Sequence, residues 1–494
     1  MGLIEKQTIK GTIYTYLGVV IGVVTNIFLF AWFFTPQQVG LVSVVLSYAI
    51  LFSQIGNLGF DNVTGRLFPW FRTEDKKHHG YTAWLMLSGL IGTGVIMALF
   101  FVLKPFILSG TENSSELLKY YVYYIPVTAV FLLFFNLFDA YSRMLYLSVR
   151  GTVLKEFIQR VLVVLTISAF ILSWIDYDGF VAFYFASICF PTLIIIFMLL
   201  KEGNVSFSYE PGFISKSLRK SIFSVAGFGI ISVFSGTVIV NIDRIMIEKY
   251  VGLYDAGIYT VTFFFGVVIL LPSRSLQRIT STFLSEAWKK MDIQVIKDIY
   301  YKSCLNQLLF ASLLFAGIWA NIDNVFFLLP EKYMAGKWVI FWICTSSLID
   351  MATGVNNAII ATSAYYKLHA VFMVIFVAIV VVTNMLMIPL YGITGAAIAS
   401  TISMFIFNLM RYLFLLFKFK LQPFNYRILI ILALAFATYL VGWLIPSFKP
   451  FWLDIIVRSG VMTVFFMTPV LWLNLSPEVT AKAKQVFALI KSKM

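Results

Sequence analysis

Residues 367–416 read KLHAVFMVIFVAIVVVTNMLMIPLYGITGAAIASTISMFIFNLMRYLFLL, with Lys367 and Arg411 as the only charges. About 20 apolar residues cross a bilayer core, so this run holds two helices, over 367–388 and 392–416. They turn at Pro389-Leu390-Tyr391-Gly392, residues that punctuate helices. Lys367 and Arg411 then lie on one side of the membrane, which the bias of basic residues makes the cytoplasmic side.

The same test applied outward gives twelve further spans, over 12–34, 39–60, 81–103, 120–139, 152–174, 179–200, 222–247, 255–273, 303–321, 337–360, 427–445 and 452–473. Composition agrees: 60% of the 494 residues are hydrophobic and 12% charged, about half the charged share of soluble domains. Such apolar surface requires lipid as solvent. The expected fold is an all-α integral membrane protein of about fourteen transmembrane helices. The first apolar run exceeds a signal-peptide core and reads as a retained span.

The net charge of +14 does not point to nucleic acid, because the basic residues cluster between apolar runs. Of the 37 Lys and Arg, 28 fall on the side of Lys367, 7 on the other, and Arg160 and Arg244 within spans. One missed span in the middle would destroy that alternation. Both termini are expected in the cytoplasm. Segments 201–221 and 275–302 are longer basic connections, the second with Phe283, Leu284, Ala287 and Trp288 opposite Glu286, Lys289 and Lys290. It reads as an interfacial helix, and the tail after Pro477 as another.

Spans one to twelve read as two parallel six-helix repeats. Thr35-Pro-Gln-Gln-Val-Gly-Leu parallels Gly252-Leu-Tyr-Asp-Ala-Gly-Ile, placing Gly40 and Gly257 217 residues apart. Asp176-Tyr-Asp-Gly-Phe parallels Leu390-Tyr-Gly-Ile-Thr, with Gly179 and Gly392 213 apart. The expected parts are an N-lobe (1–221), a C-lobe (222–420), two additional spans (421–475) and a tail (476–494). Repeats of this kind place substrate at their interface.

Polar groups at bilayer depth face a partner or a cavity. Ser47, Gln54, Asn57 and Asp61 share one helical face; so do Asn136, Asp139 and Arg143; so do Ser346, Asp350, Thr353 and Asn357; and so do Thr401, Asn408 and Arg411. Asp350 is the deepest carboxylate, with Asp61, Asp139 and Asp243 as further candidates to bind a coupling H+ or Na+. Structural bonding of helices is the competing reading of each. Glu156 and Arg160 are spaced to pair. Asp243 and Arg244 lie where snorkelling is easy. Arg66, Arg143, Arg160, Arg244, Arg274, Arg278 and Arg411 form a candidate basic lining or rim for a pyrophosphate.

Nothing marks an enzyme: the chain carries no GxxxxGK[ST], HExxH or GxSxG. Cys189, Cys304 and Cys344 have neither disulfide nor zinc spacing. His78, His79 and His369 read as solvent- or headgroup-facing. Gly18 and Gly22 form a GxxxG step for close helix packing. No cofactor is expected.

Three stretches resemble the polysaccharide-transporter family, the O-antigen flippase type within the MATE-like flippase superfamily. They are Asn241-Ile-Asp-Arg-Ile-Met-Ile with Gly252-Leu-Tyr-Asp-Ala-Gly-Ile-Tyr, Leu328-Leu-Pro-Glu-Lys-Tyr-Met-Ala-Gly, and Asn384-Met-Leu-Met-Ile-Pro-Leu-Tyr-Gly-Ile-Thr-Gly-Ala-Ala-Ile-Ala. The resemblance implies two lobes around a central cavity plus two C-terminal helices. It also implies export of an undecaprenyl-pyrophosphate-linked oligosaccharide across a bacterial inner membrane, without ATP, on an ion gradient. Membrane lipids and other polysaccharide-assembly proteins are the implied partners. Related lipid-linked precursor flippases use cavity cations, whereas span one here has none before its outer end. A cation-coupled drug exporter of the same superfamily and a membrane polysaccharide polymerase or ligase are the competing readings. The inner-side arginines and the short outer loops weigh against them.

Overall fold

The computed structural model describes residues 3–109, 112–206 and 213–491, and every regular element among them is helical. Eleven helices are long and apolar enough to cross a membrane, and a bent pair, Glu331–Ala352 with Asn356–Thr362, makes a twelfth. The other two expected spans are hidden by local geometry. Helix Tyr366–Phe419 runs 54 residues but breaks at Gly392 (φ 56, ψ −135), which divides it into spans eleven and twelve. Span five is a succession of Ser148–Thr152, a π-helical Val153–Ile158 and Gln159–Ile171.

The chain forms two compact units, Met1–Val261 and Thr262–Met494, the division falling inside helix Leu253–Lys289. In the first unit, span two (Pro36–Gly56) starts at a capping box. The Gln38 N–H donates to the Thr35 hydroxyl at 3.3 Å, and the Thr35 N–H to Gln38 Oε1 at 2.9 Å. The helix ends in a turn through Leu58 (φ 51) and Gly59 (φ 72), then a shorter helix, Phe60–Phe71. Span seven, Lys216–Tyr250, begins at Ser215, whose side chain accepts from the Leu218 N–H. It packs along span two and along Phe60–Phe71, and so belongs with the first unit.

The duplication read from sequence is visible as a reciprocal contact. A Cβ on Gly40 would lie 1.9 Å from the Leu253 carbonyl oxygen, and one on Gly257 1.7 Å from that of Pro36. Leu253 follows Pro36 by the same 217 residues that separate the glycines. One helical turn on, Thr260 donates to the Ser43 hydroxyl at 3.0 Å, again across 217 positions. Equivalent residues that touch one another define a local two-fold relation.

In the second unit, spans thirteen (Tyr426–Leu444) and fourteen (Phe451–Trp472) pack on span nine (Ile293–Ala320) through Leu305, Leu308, Leu309, Ile428, Ile431, Phe466 and Val470. The segment read as a separate interfacial helix is instead a continuation of span eight. Helix Leu253–Lys289 is unbroken, Leu284 and Ala287 are buried, and Trp288 donates to the Ile359 carbonyl at 3.2 Å. Leu284, Ala287 and Trp288 face protein, while Phe283 stays exposed. The tail helix Pro477–Lys491 is tied down at its start, where Glu478 accepts from Asn306 at 2.6 Å.

Candidate functional site

Two polar stripes of the sequence meet inside the second unit. Span ten stops at Ala352, turns at Gly354 (φ 62) and resumes at Asn356, leaving Asp350 and Thr353 at the break. Span twelve presents Asn408 and Arg411 to them. Asn408 Oδ1 accepts from Thr353 Oγ1 at 2.6 Å, Arg411 Nη2 at 2.7 Å and Asn356 Nδ2 at 3.1 Å. Its amide nitrogen donates to Asp350 Oδ1 at 3.3 Å, and Arg411 Nη2 lies 3.6 Å from that oxygen. The Arg411 side chain is 4% exposed against 27% for Asp350. The guanidinium sits 4.0 Å over the Phe407 ring, which stacks on Phe376. Around it the Tyr300 hydroxyl and His369 Nδ1 are buried without hydrogen-bond partners among the described residues. A buried Arg clamped between a carboxylate and an amide can hold two helices in one register, or offer its remaining donors to an anion.

The break at Gly354 also decides which asparagine takes part. An unbroken helix places Asn357 on the stripe; the interruption rotates the chain, Asn356 joins the network, and Asn357 Oδ1 is left buried and unpartnered. Ser346 lies 3.5 Å from the Ser400 carbonyl, at the edge of a hydrogen bond. Thr401 donates to the Trp342 carbonyl at 2.8 Å and ties span twelve to span ten above the network.

In the first unit the candidate charges pair locally. Asp139 accepts from Arg143 on the same helix. Asn57 donates to Asp61 at 2.9 Å, and the Asp61 N–H returns a bond to Asn57 Oδ1 at 3.2 Å. That reciprocal pair spans the turn between span two and the helix after it. Arg160 binds Glu156 at 2.6 Å and donates to the Gly18 carbonyl. A Cβ on Gly22 would collide with that guanidinium, so the GxxxG step seats span five against span one. Asp243 is buried and accepts from Tyr259 at 2.7 Å, rather than snorkelling. Arg244 is half-buried and donates to the Val240 carbonyl at 3.1 Å. Gln54 Oε1 is buried without a hydrogen-bond partner among the described residues, Asn136 is half-buried and Arg66 exposed. The Arg274 and Arg278 side chains lie outside the described residues.

His78 is buried rather than solvent-facing. Its Nδ1 accepts from the Thr73 N–H at 3.1 Å and its ring packs on Phe68. Two features escape the sequence stripes. Asp454 pairs with Arg458 at 3.1 Å inside span fourteen, a pairing its i, i+4 spacing permits. Glu248, near the end of span seven, is fully buried, and among the described residues neither carboxylate oxygen has a hydrogen-bond partner. Among the described residues no group of His, Cys, Asp and Glu is placed to hold a metal.

A family model described as polysaccharide biosynthesis protein matches residues 7–272, just over half of the chain. No curated protein matches the sequence. Among solved structures, the lipid II flippase MurJ in an inward closed conformation superposes with TM-score 0.73 at 12% identity, covering 94% of this chain and 99% of that one. An inward-facing multidrug resistance MATE family transporter of the MOP superfamily gives 0.62 at 14% identity, covering 80% and 93%. A mutant of the Vibrio cholerae MATE transporter VcmN gives 0.51 at 14%, covering 83% and 95%. At these identities the likeness establishes the fold.

Proposed function

The chain belongs to the polysaccharide biosynthesis protein family, and from that premise we propose that it is a flippase for a lipid-linked oligosaccharide. It carries its substrate from the cytoplasmic to the outer leaflet of a bacterial inner membrane by alternating access, without ATP and driven by an H+ or Na+ gradient. The observation that carries this reading is the family match, joined to a fold shared with a lipid II flippase along 94% of the chain. An undecaprenyl-pyrophosphate carrier fits the arginines, since guanidinium groups bind phosphate oxygens through paired donors.

The test reconstitutes the purified protein in liposomes with a fluorescent lipid-linked oligosaccharide and reads leaflet accessibility under imposed proton and sodium gradients. Movement that depends on protein and on one gradient is expected. Immobility of the native substrate, with gradient-driven movement of cationic drugs, would transfer the chain to the drug exporters that share its fold.

A further inference from the structure

Span seven buries a carboxyl group. Glu248 is 0% exposed, and among the described residues neither Oε1 nor Oε2 has a hydrogen-bond partner. The one cation beside it is committed elsewhere. Lys249 donates to the Ile107 carbonyl at 2.9 Å and to that of Phe106, closing the end of span three, Tyr81–Ile107. Beyond Lys249, the ionisable group within electrostatic reach is Tyr48 on span two, whose hydroxyl is also buried and unpartnered. A buried carboxylate without a hydrogen-bond donor is costly, a cost that taking a proton removes and that the neighbouring Lys249 charge offsets only in part.

The surroundings make this more than a buried acid. Span seven packs along span two, the helix that also carries Gly40 and Ser43 into their reciprocal contacts with Gly257 and Thr260. Span eight begins five residues after Glu248, and its Gly257 and Thr260 close a seam with Gly40 and Ser43 of span two by backbone approach and small residues.

We propose that Glu248 is a proton-binding site whose occupancy holds the end of span seven and the start of span eight against span two. The carboxyl is neutral while the seam is closed. When the seam opens, water reaches it, the O–H bond breaks, the proton leaves to water and the carboxylate remains solvated. A proton rather than a metal cation is the ligand, because a hard cation needs about six oxygen donors and Tyr48 and Glu248 supply three. The proposal rests on the transport reading and gives it the group through which a proton gradient acts.

The test needs no lipid-linked substrate, so its result is independent of the flipping assay. Ser43→Cys and Thr260→Cys, with the three native cysteines replaced by alanine, place two thiols at the seam. Cross-linking yield is measured in nanodiscs between about pH 5 and pH 9, above the ordinary glutamate value near 4.3. The same pair with Glu248→Gln, which mimics the protonated acid and preserves the fold, carries the thiols' own pH dependence. Relative to that reference, yield in the Glu248 protein is expected to fall several-fold as pH rises. Indistinguishable profiles overturn the proposal. So does a rise in yield with sodium at constant pH that Glu248→Gln abolishes, which would make the ligand a metal cation.

Discussion

Asp350 and Glu248 are both carboxylates within membrane spans, and their surroundings are opposites. Asp350 meets an amide at 3.3 Å and a guanidinium at 3.6 Å, in a network that joins spans ten and twelve. Glu248 meets no hydrogen-bond donor among the described residues, and its neighbouring lysine caps another helix. A carboxylate with fixed donors becomes a bracket between the helices that supply them. One without them can stay buried only by giving the charge up. Both groups are carboxylates, so the partners on facing helices set the chemistry.

The largest expected effect tests the bracket. Asp350→Asn leaves Arg411 almost wholly buried without a counter-charge, and should cost about 3 kcal/mol of stability. Arg411→Met strips the partner from a carboxylate that water still reaches, and should cost about 1 kcal/mol. Thermal unfolding in detergent checks the order. Flipping by the surviving Asp350→Asn protein should keep its gradient dependence, and Glu248→Gln should lose it. A stable Asp350→Asn protein without gradient dependence would exchange the roles of the two acids.

The comparison also shows where sequence reasoning holds. Asp350, Thr353, Asn408 and Arg411 were legible because each stripe lies on helix regular enough for i, i+3 and i+4 spacing to mean a shared face. The membrane spans were legible because apolar length and basic loops are properties of the chain itself. Asn356 was not, because the positive φ of Gly354 resets the helical phase just before it. Glu248 was invisible for another reason. Thr237, Asn241, Arg244 and Glu248 share a helical face, but the apolar run read as span seven stops at 247, and a lysine beside Glu248 reads as a partner. Only the course of Lys249 toward Phe106 and Ile107 shows that it stands alone.

The seam beside Glu248 gives a second, smaller effect. Gly257→Ala places a methyl on the Pro36 carbonyl, and Gly40→Ala does the same to Leu253. Each should cost about 2 kcal/mol by overpacking, read as lower thermal stability and slower Ser43–Thr260 cross-linking. Gly94→Ala, where a Cβ meets nothing within 4 Å, is the control and should be neutral or slightly stabilising. Equal behaviour of Gly94 and Gly257 would deny the seam its close approach.

The smallest effect sharpens the contrast between a paired and an unpaired glutamate. Glu202, just past the end of span six, accepts from Arg150 at 2.7 Å, and that bond holds its carboxyl below the ordinary range. A folded-state value below the unfolded one gives stability that is present above the unfolded pKa, near 4.3, and is lost as pH falls through the folded one. The pair is partly exposed, so its contribution should stay under about 1 kcal/mol and weaken with salt. Glu202→Gln should flatten the acid limb of a stability-against-pH curve by that amount and leave the alkaline limb unchanged. The seam at Glu248 should respond in the opposite sense, loosening as pH rises. If Glu202→Gln altered the alkaline cross-linking limb as well, the two glutamates would be coupled, and the seam could not be assigned to Glu248 alone.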